Sequence, residues 1–164
     1  MVENINQQRL MHVLHYDPVT GEFTWMQPLS KKTRRGDKAG FQTDDGYWAI
    51  RIDGHVYRAH RLAVLYMTGI LPPEDVDHKN RSRLSNEYDN LRNATRQQNT
   101  SNRSTYTWSK TGVAGVTWDK ARGKWSARIK AGGKGHTLGR FDNFEDAVSA
   151  RREAEVQYFG EFAP

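Results

Sequence analysis

Apolar and polar residues alternate without a break over Lys124-Trp125-Ser126-Ala127-Arg128-Ile129-Lys130. A strand of this pattern turns Trp125, Ala127 and Ile129 to one face and Lys124, Ser126, Arg128 and Lys130 to the other. Val116 and Trp118 add inward residues from a preceding strand, with Thr117 and Asp119 outward, and Leu138 and Phe141 supply a third. Turns fall at Ala121-Arg122-Gly123 and Ala131-Gly132-Gly133. A helix is predicted over Phe144 to Phe159, capped by Asp142 or Asn143, ended by Gly160, and presenting Ala147, Ala150 and Ala154 for close packing. The pattern predicts a three-stranded antiparallel sheet packed on one helix over residues 113–164.

The first half reads differently. Leu10, Val13 and Leu14 form the apolar edge of a short helix from Ile5 to His15, which Asp17-Pro18 ends. The text YDPVTGEFTW then turns at Pro18 and Gly21 into a strand. Tyr47 to Ile52 and His55 to Arg58 alternate around Asp53-Gly54, a hairpin signal. His60 to Met67 is helical and Gly69 stops it. Asp75 to His78 is an extended piece with which Asn90 to Ala94 can pair. Thr95 with Gln98 three residues on matches a capping box, so a helix is expected near Arg96. Its first turn would bring Asn99 back beside Asp77 and His78. The run after Asn99 is rich in Ser, Thr and Asn and reads as a linker. The fold class is α+β, with one domain over 1–102, a linker over 103–112 and a second domain over 113–164.

Composition sharpens this picture. The 164 residues carry a formal charge of +6 and a sequence pI near 9.6, which points first to nucleic acid. Cysteine is absent, excluding disulfides and Cys-based zinc sites. No apolar run reaches the ~20 residues that span a bilayer, and MVENINQQRL lacks a signal-type apolar stretch. The expectation is a cytoplasmic protein with no membrane partner. Charge also separates along the second domain. Eight Lys or Arg face only Asp119 from Thr105 to Phe141, whereas six acids face two Arg from Asp142 onward. The exposed sheet face is therefore expected to be basic, and the loop PLSKKTRRGDKAG adds Lys31, Lys32, Arg34 and Arg35 as phosphate candidates.

The chemistry concentrates in PPEDVDHKNRSRLSNEYDNLRNATRQQNTSN, Pro72 to Asn102. A carboxylate and an amide oxygen are hard ligands suited to Mg²⁺ or Mn²⁺, and a neutral imidazole beside them can take a proton from water. Asp77-His78, Asn90-Leu91-Arg92 and Asn99 resemble the HNH nuclease motif, the ββα-metal site of phage homing-type endonucleases. The likeness extends over about residues 10–102. It implies His78 as general base, Asp77 and Asn99 as holders of one divalent ion, and Asn90 bracing the loop and orienting His78. Ser85-Asn86 stands where the family often has Asp-Asn. His60 reads as a structural histidine with satisfied nitrogens.

The segments GVTW, GKWSARI and LGRFDNFEDAVSARREAE resemble the Apetala, or ethylene-response-factor, DNA-binding domain over roughly residues 111–163. Thr117 and Thr137 stand where base-reading residues occur in that family, so sequence preference does not carry over. Lys124, Arg128 and Lys130 remain candidate DNA contacts by position, with Arg122 a candidate in a turn. Together the two resemblances imply an N-terminal ββα-metal nuclease unit and a C-terminal docking sheet. The implied activity is Mg²⁺- or Mn²⁺-dependent cleavage of double-stranded DNA by a monomer or dimer with no small-molecule cofactor. For a phage-encoded protein the location would be the host cytoplasm. The alternatives are a DNA-binding regulator carrying an idle nuclease remnant, and an RNA-processing protein.

Overall fold

The computed structural model describes residues 5–101 and 111–163. The chain divides into two compact units, one up to Thr95 and one from Arg96. Most of the linker expected at 103–112 lies outside the described residues.

In the first unit, α1 (Gln7–Val13) starts at Asn6, whose side chain accepts from the Arg9 amide at 2.8 Å. The helix ends two residues earlier than the apolar pattern predicts. Leu14–Tyr16 instead forms β1, paired with β2 (Phe23–Trp25) in the register Leu14↔Trp25. The strand buries both Leu14 and Tyr16 and gives their backbone a hydrogen-bonded partner in β2. The chain after β2 folds back on it through Trp25 N–H to Asp37 O at 2.9 Å and Ala39 N–H to Phe23 O at 2.7 Å. The basic loop is thereby closed at its base.

A second sheet follows, in the order β3 (Phe41–Gln42), β4 (Trp48–Ile52), β5 (His55–Arg58). Its β4–β5 turn has positive φ at both Asp53 and Gly54, +50° and +83°, as a two-residue hairpin that follows the strand twist requires. The sheet leads directly into α2 (Ala59–Thr68), which buries Leu62, Ala63, Val64 and Leu65 and stops at Gly69 in the left-handed region. Leu10, Val13, Leu14, Tyr16, Phe23, Ile50, Ile52 and the apolar face of α2 form one core, and Val76 and Leu91 extend it to a two-stranded sheet. That sheet pairs β6 (Asp75–His78) with β7 (Leu91–Ala94) antiparallel, with Asp77 opposite Arg92 and His78 opposite Leu91.

The second unit opens with α3 (Arg96–Ser101). Its sheet has the order β10 (Lys134–Phe141), β9 (Lys124–Ala131), β8 (Val116–Asp119), all antiparallel, with α4 (Phe144–Phe159) packed against it. Val116, Ala127 and Ala147 are the buried centre, surrounded by Trp125, Leu138, Phe141 and Phe144. Two positions depart from the simple alternation. Trp118 shares the inward face but is 45% exposed on edge strand β8, where its ring meets Trp125 edge-on at 5.2 Å. Ser126 is on the outer face yet only 4% exposed, flanked in register by Thr117 and Arg140. Arg151 is also buried on α4, donating from Nε to Ala114 O at 2.8 Å and pairing with Glu155 at 3.1 Å.

One glycine ties the β1–β2 turn to the β6–β7 loop. Gly21 has φ +72°, and a Cβ there would lie 2.4 Å from both Asn86 C and Glu87 N. Gly36, with φ +89°, has open space around it. Gly21→Ala is therefore expected to lower stability by more than the ~1–3 kcal/mol of backbone strain alone, and Gly36→Ala by no more than that strain. Urea denaturation of the two variants measures the difference; equal losses would refute the tie.

Candidate active site

The site grows from the end of β6. Asp77 and His78 are 5% and 4% exposed, although neighbours in a strand point to opposite faces. Both faces of this short sheet are therefore covered at its end. On one side Arg92, the cross-strand partner, donates to Asp77 Oδ2 from Nε at 2.9 Å and Nη2 at 2.8 Å. Such a guanidinium fork is what lets a carboxylate stay ionised away from water.

On the other side, His78 Nε2 lies 3.2 Å from Asn86 Oδ1. The Asn86 amide is oriented by its own Nδ2, which donates to Leu84 O at 3.2 Å. Oδ1 thus faces the imidazole as an acceptor, so the hydrogen-bond network assigns the ring proton of neutral His78 to Nε2 and the lone pair to Nδ1. Asn86 is itself held by the core. The buried Tyr16 hydroxyl donates to Asn86 O at 2.7 Å, and Tyr88 N–H donates to Pro18 O at 2.9 Å.

Asn90 has a different place. It ends a 3₁₀ turn (Tyr88–Asn90) and cross-links the loop between β6 and β7. Its Oδ1 accepts from Asn80 N–H at 3.0 Å, and its Nδ2 donates to Asn80 Oδ1 at 3.0 Å and to Ser85 O at 2.8 Å. Loop bracing at Asn90 and the contact to His78 are therefore divided between two asparagines. Asn86 is one of several asparagines that follow Asp77-His78, and the sequence assigns it no role. Its spacing of eight residues from His78, across a turn-rich loop, carries no contact signal by itself.

His60, at the start of α2, faces His78 edge-on with ring centroids 5.0 Å apart, and Tyr47 lies 5.3 Å from His60 and 6.1 Å from His78. His60 is not the satisfied histidine that the sequence suggests: its Nδ1 is buried with no hydrogen-bond partner. Burial pushes its pKa down to about 3, helped by the charges of His78, Arg61 and Arg58. Burial also lowers His78, opposed by the Asn86 hydrogen bond and the Asp77 charge. Both rings are neutral at pH 7, the form in which an imidazole can act as a base.

Asn99 lies half-buried on α3, across the division between the units, and its ligand role rests on sequence spacing. Among the described residues no group of three or more His, Cys, Asp or Glu side chains gathers as a metal cage. The Asp77 carboxylate is a hard oxygen donor of the kind that suits an ion such as Mg²⁺ which keeps most of its waters, and Arg92 shares it. Lys31, Lys32, Arg34 and Arg35 are exposed in the loop after β2. On the second unit's sheet, Arg122 and Arg140 share Asp119 at 3.2 and 3.3 Å, and Lys124 pairs with Asp142 at 3.1 Å. Arg128 and Lys130 are exposed, and among the described residues neither has an ion-pair partner.

Residues 57–101, from Tyr57 in β5 to the end of α3, match the HNH endonuclease family. This stretch contains His60, Asp77, His78, Asn86, Asn90 and Asn99. On that match the protein is a nuclease, a phosphodiester hydrolase. No curated protein and no solved structure matches the chain. Among the described residues no helix is long and apolar enough to cross a membrane.

The buried histidines set an acid limit on stability. A folded pKa below the unfolded value of about 6.5 means that the unfolded chain takes up the proton first as pH falls. The His60 contribution is complete above about 6.5 and is lost as pH falls toward its folded value of about 3, with a slope approaching ~1.4 kcal/mol per pH unit. Urea midpoints between pH 7 and pH 5 should drop less steeply in His60→Gln than in the wild type. Parallel slopes would show that His60 is not the group responsible.

Proposed function

We propose that this nuclease is a divalent-metal-dependent DNA endonuclease of the phage homing type, cutting with its first unit and holding duplex DNA with its C-terminal sheet. The observation that carries the reading is His78: buried, neutral, its Nε2 proton committed to Asn86, and adjacent to the carboxylate of Asp77. A neutral imidazole whose Nε2 proton is committed, with a carboxylate charge felt at the ring, is the chemistry a general base for phosphodiester hydrolysis needs. His78 takes the proton from the attacking water. Asn86 keeps the ring from turning and stabilises the imidazolium that results, since its Oδ1 accepts from Nε2–H in both states. Asn90 holds the loop that carries Asn86. Asp77 and Asn99 would hold the divalent ion, Mg²⁺ or Mn²⁺, which when bound supplies positive charge to the phosphate and the leaving oxygen.

Docking by the second unit is supported by its charge. Arg128 and Lys130 project from the outer face of β9, which is broad enough as a β-ribbon to lie in a major groove. Arg122 and Lys124 are tempered by neighbouring carboxylates. The basic loop of the first unit adds backbone contacts. In this reading Arg128, central on the middle strand, reads bases and Lys130 contacts phosphate.

The nuclease reading is tested on supercoiled plasmid. His78→Ala is expected to slow cleavage by about 10²–10⁴-fold while DNA affinity stays near wild type. The wild-type rate should fall with decreasing pH as His78 is protonated, with the acid limb below 6.5 because burial lowers that pKa. Excess chelator should abolish cleavage, and Mg²⁺ or Mn²⁺ should restore it. Undiminished cutting by His78→Ala, or in chelator, would sink the mechanism. Specific binding without any metal-dependent cutting would favour a regulator with an idle nuclease site.

Docking makes a separate prediction. Lys130→Ala should flatten the slope of log affinity against log salt by about 0.9 and weaken target and random duplex alike. Arg128→Ala should cost about 1–3 kcal/mol of discrimination between them. If neither variant alters binding, the sheet face does not contact DNA.

A further inference from the structure

Four arginines lie around the histidine pair, and their charges are spent differently. Arg61, whose charge is felt at His60, donates to the Glu74 and Pro72 carbonyls. Arg92 is neutralised by Asp77. Arg58 is neutralised by Asp45 through two contacts, at 2.8 and 2.7 Å, and also donates to Thr43 Oγ1 at 2.8 Å. The Asp45 carboxyl is held well below its usual range, chiefly by that Arg58 hydrogen bond. Arg83, like Arg61, has no carboxylate partner among the described residues, but it alone of the four has an aromatic platform shared with both histidines and no carboxylate on it. It comes from the exposed loop between β6 and β7, and its guanidinium reaches the β3–β4 turn. There Nη1 donates to the Asp45 carbonyl at 2.6 Å, and Cζ sits 5.0 Å over the Tyr47 ring.

The anchoring is of an unusual kind. A backbone carbonyl and an aromatic face orient a guanidinium without cancelling its charge. Arg58 stacks over the same Tyr47 ring at 4.7 Å, so the platform is held from two directions. Tyr47 in turn touches both histidines, and the Arg83 charge is felt at His78. A preoriented cation with N–H groups left over, one ring away from a general base, is placed for a phosphodiester oxygen. Surface electrostatics alone would not require that anchoring.

We propose that Arg83 is a further catalytic residue, one that donates to a non-bridging oxygen of the scissile phosphate and offsets the charge gained as His78 deprotonates the attacking water. Tyr47 and the Asp45 carbonyl are its positioning groups. The assignment rests on the nuclease reading above. No metal ligand is invoked in it, and its charge is fixed at every working pH because a guanidinium does not deprotonate.

Single-turnover cleavage of supercoiled plasmid in Mg²⁺ provides the test, with His78→Ala as the inactive reference. Arg83→Ala is expected to lower the maximal rate by roughly 10²–10³-fold, as loss of one preorganised donor does elsewhere. Binding to the same plasmid in chelator should change by less than about threefold, on the same argument that the contact strengthens only in the transition state. Arg83→Lys should fall between the two, keeping the charge and losing the fork. Methylguanidinium added to Arg83→Ala should restore part of the rate, whereas sodium chloride at equal ionic strength should not; a merely structural arginine would not give that rescue. A rate within threefold of wild type, or a loss that appears entirely in binding, overturns the assignment while leaving His78 as base. Absence of His78-dependent cutting in the wild type would instead overturn the nuclease reading, and this assignment with it.

Discussion

The hydrogen bond from the Tyr16 hydroxyl to the Asn86 carbonyl is the point at which the hydrophobic core reaches the chemistry. Tyr16 is fixed by β1–β2 pairing and by stacking on Phe23, with ring centroids 4.6 Å apart. Its hydroxyl is buried, so it must find an acceptor or incur a desolvation cost of ~1–3 kcal/mol. The acceptor it finds is the backbone of a loop with little apolar content of its own. Gly21 brings the β1–β2 turn against the same residue so closely that no side chain fits between them. A polar loop from Lys79 to Asn90 is thereby held by an aromatic core some seventy residues earlier in the chain.

Burial does two jobs at this site. It removes the proton from both histidines at neutral pH, and it forces every polar atom to be assigned a partner. The assignments at Asn86 leave one consistent tautomer for His78. His60 is where this accounting stays open, since its Nδ1 has none. A neutral imidazole nitrogen left bare is cheaper than a bare charge, and the same burial that strands it also keeps it uncharged. The edge-on contact with His78 then acts as packing that limits ring motion without competing for the Nε2 proton.

Local chemistry was legible from the residues, and the long-range partnerships were not. Asp53-Gly54 marked its hairpin because a two-residue turn needs positive φ, and Gly69 marked the end of α2 for the same reason. The capping-box pair Thr95 and Gln98 marked the start of α3 at Arg96. Alternation in β9 assigned faces, but not what covers them. Ser126 is buried by neighbours on its own outer face, and Trp118 is exposed on an edge strand. Leu14 read as part of the helical edge, and the strand it forms instead depends on its partner Trp25, which periodicity does not contain. At the site, Asp77 and His78 stood out by type and spacing. Arg92 on Asp77, Asn86 on His78, and Arg83 over Tyr47 depend on strand register and loop path, which periodicity does not contain.

Register explains the first of these. A carboxylate at the end of a covered strand needs a counter-charge whenever no cation is present, and the antiparallel pairing puts Arg92 directly across from Asp77. The Asp77–Arg92 pair and the Asp45–Arg58 pair each cancel, which among the described residues leaves Arg61 and Arg83 as the guanidinium groups near the histidines without a carboxylate partner. The Arg83 guanidinium gives the exposed loop a net positive charge beside two uncharged imidazoles. Because a carbonyl and a ring hold it, that charge is fixed in place before any anion arrives, and no reorganisation is needed when one does. The same three residue types, placed one carboxylate differently, would give a site with stronger ion pairs and less attraction for a phosphodiester.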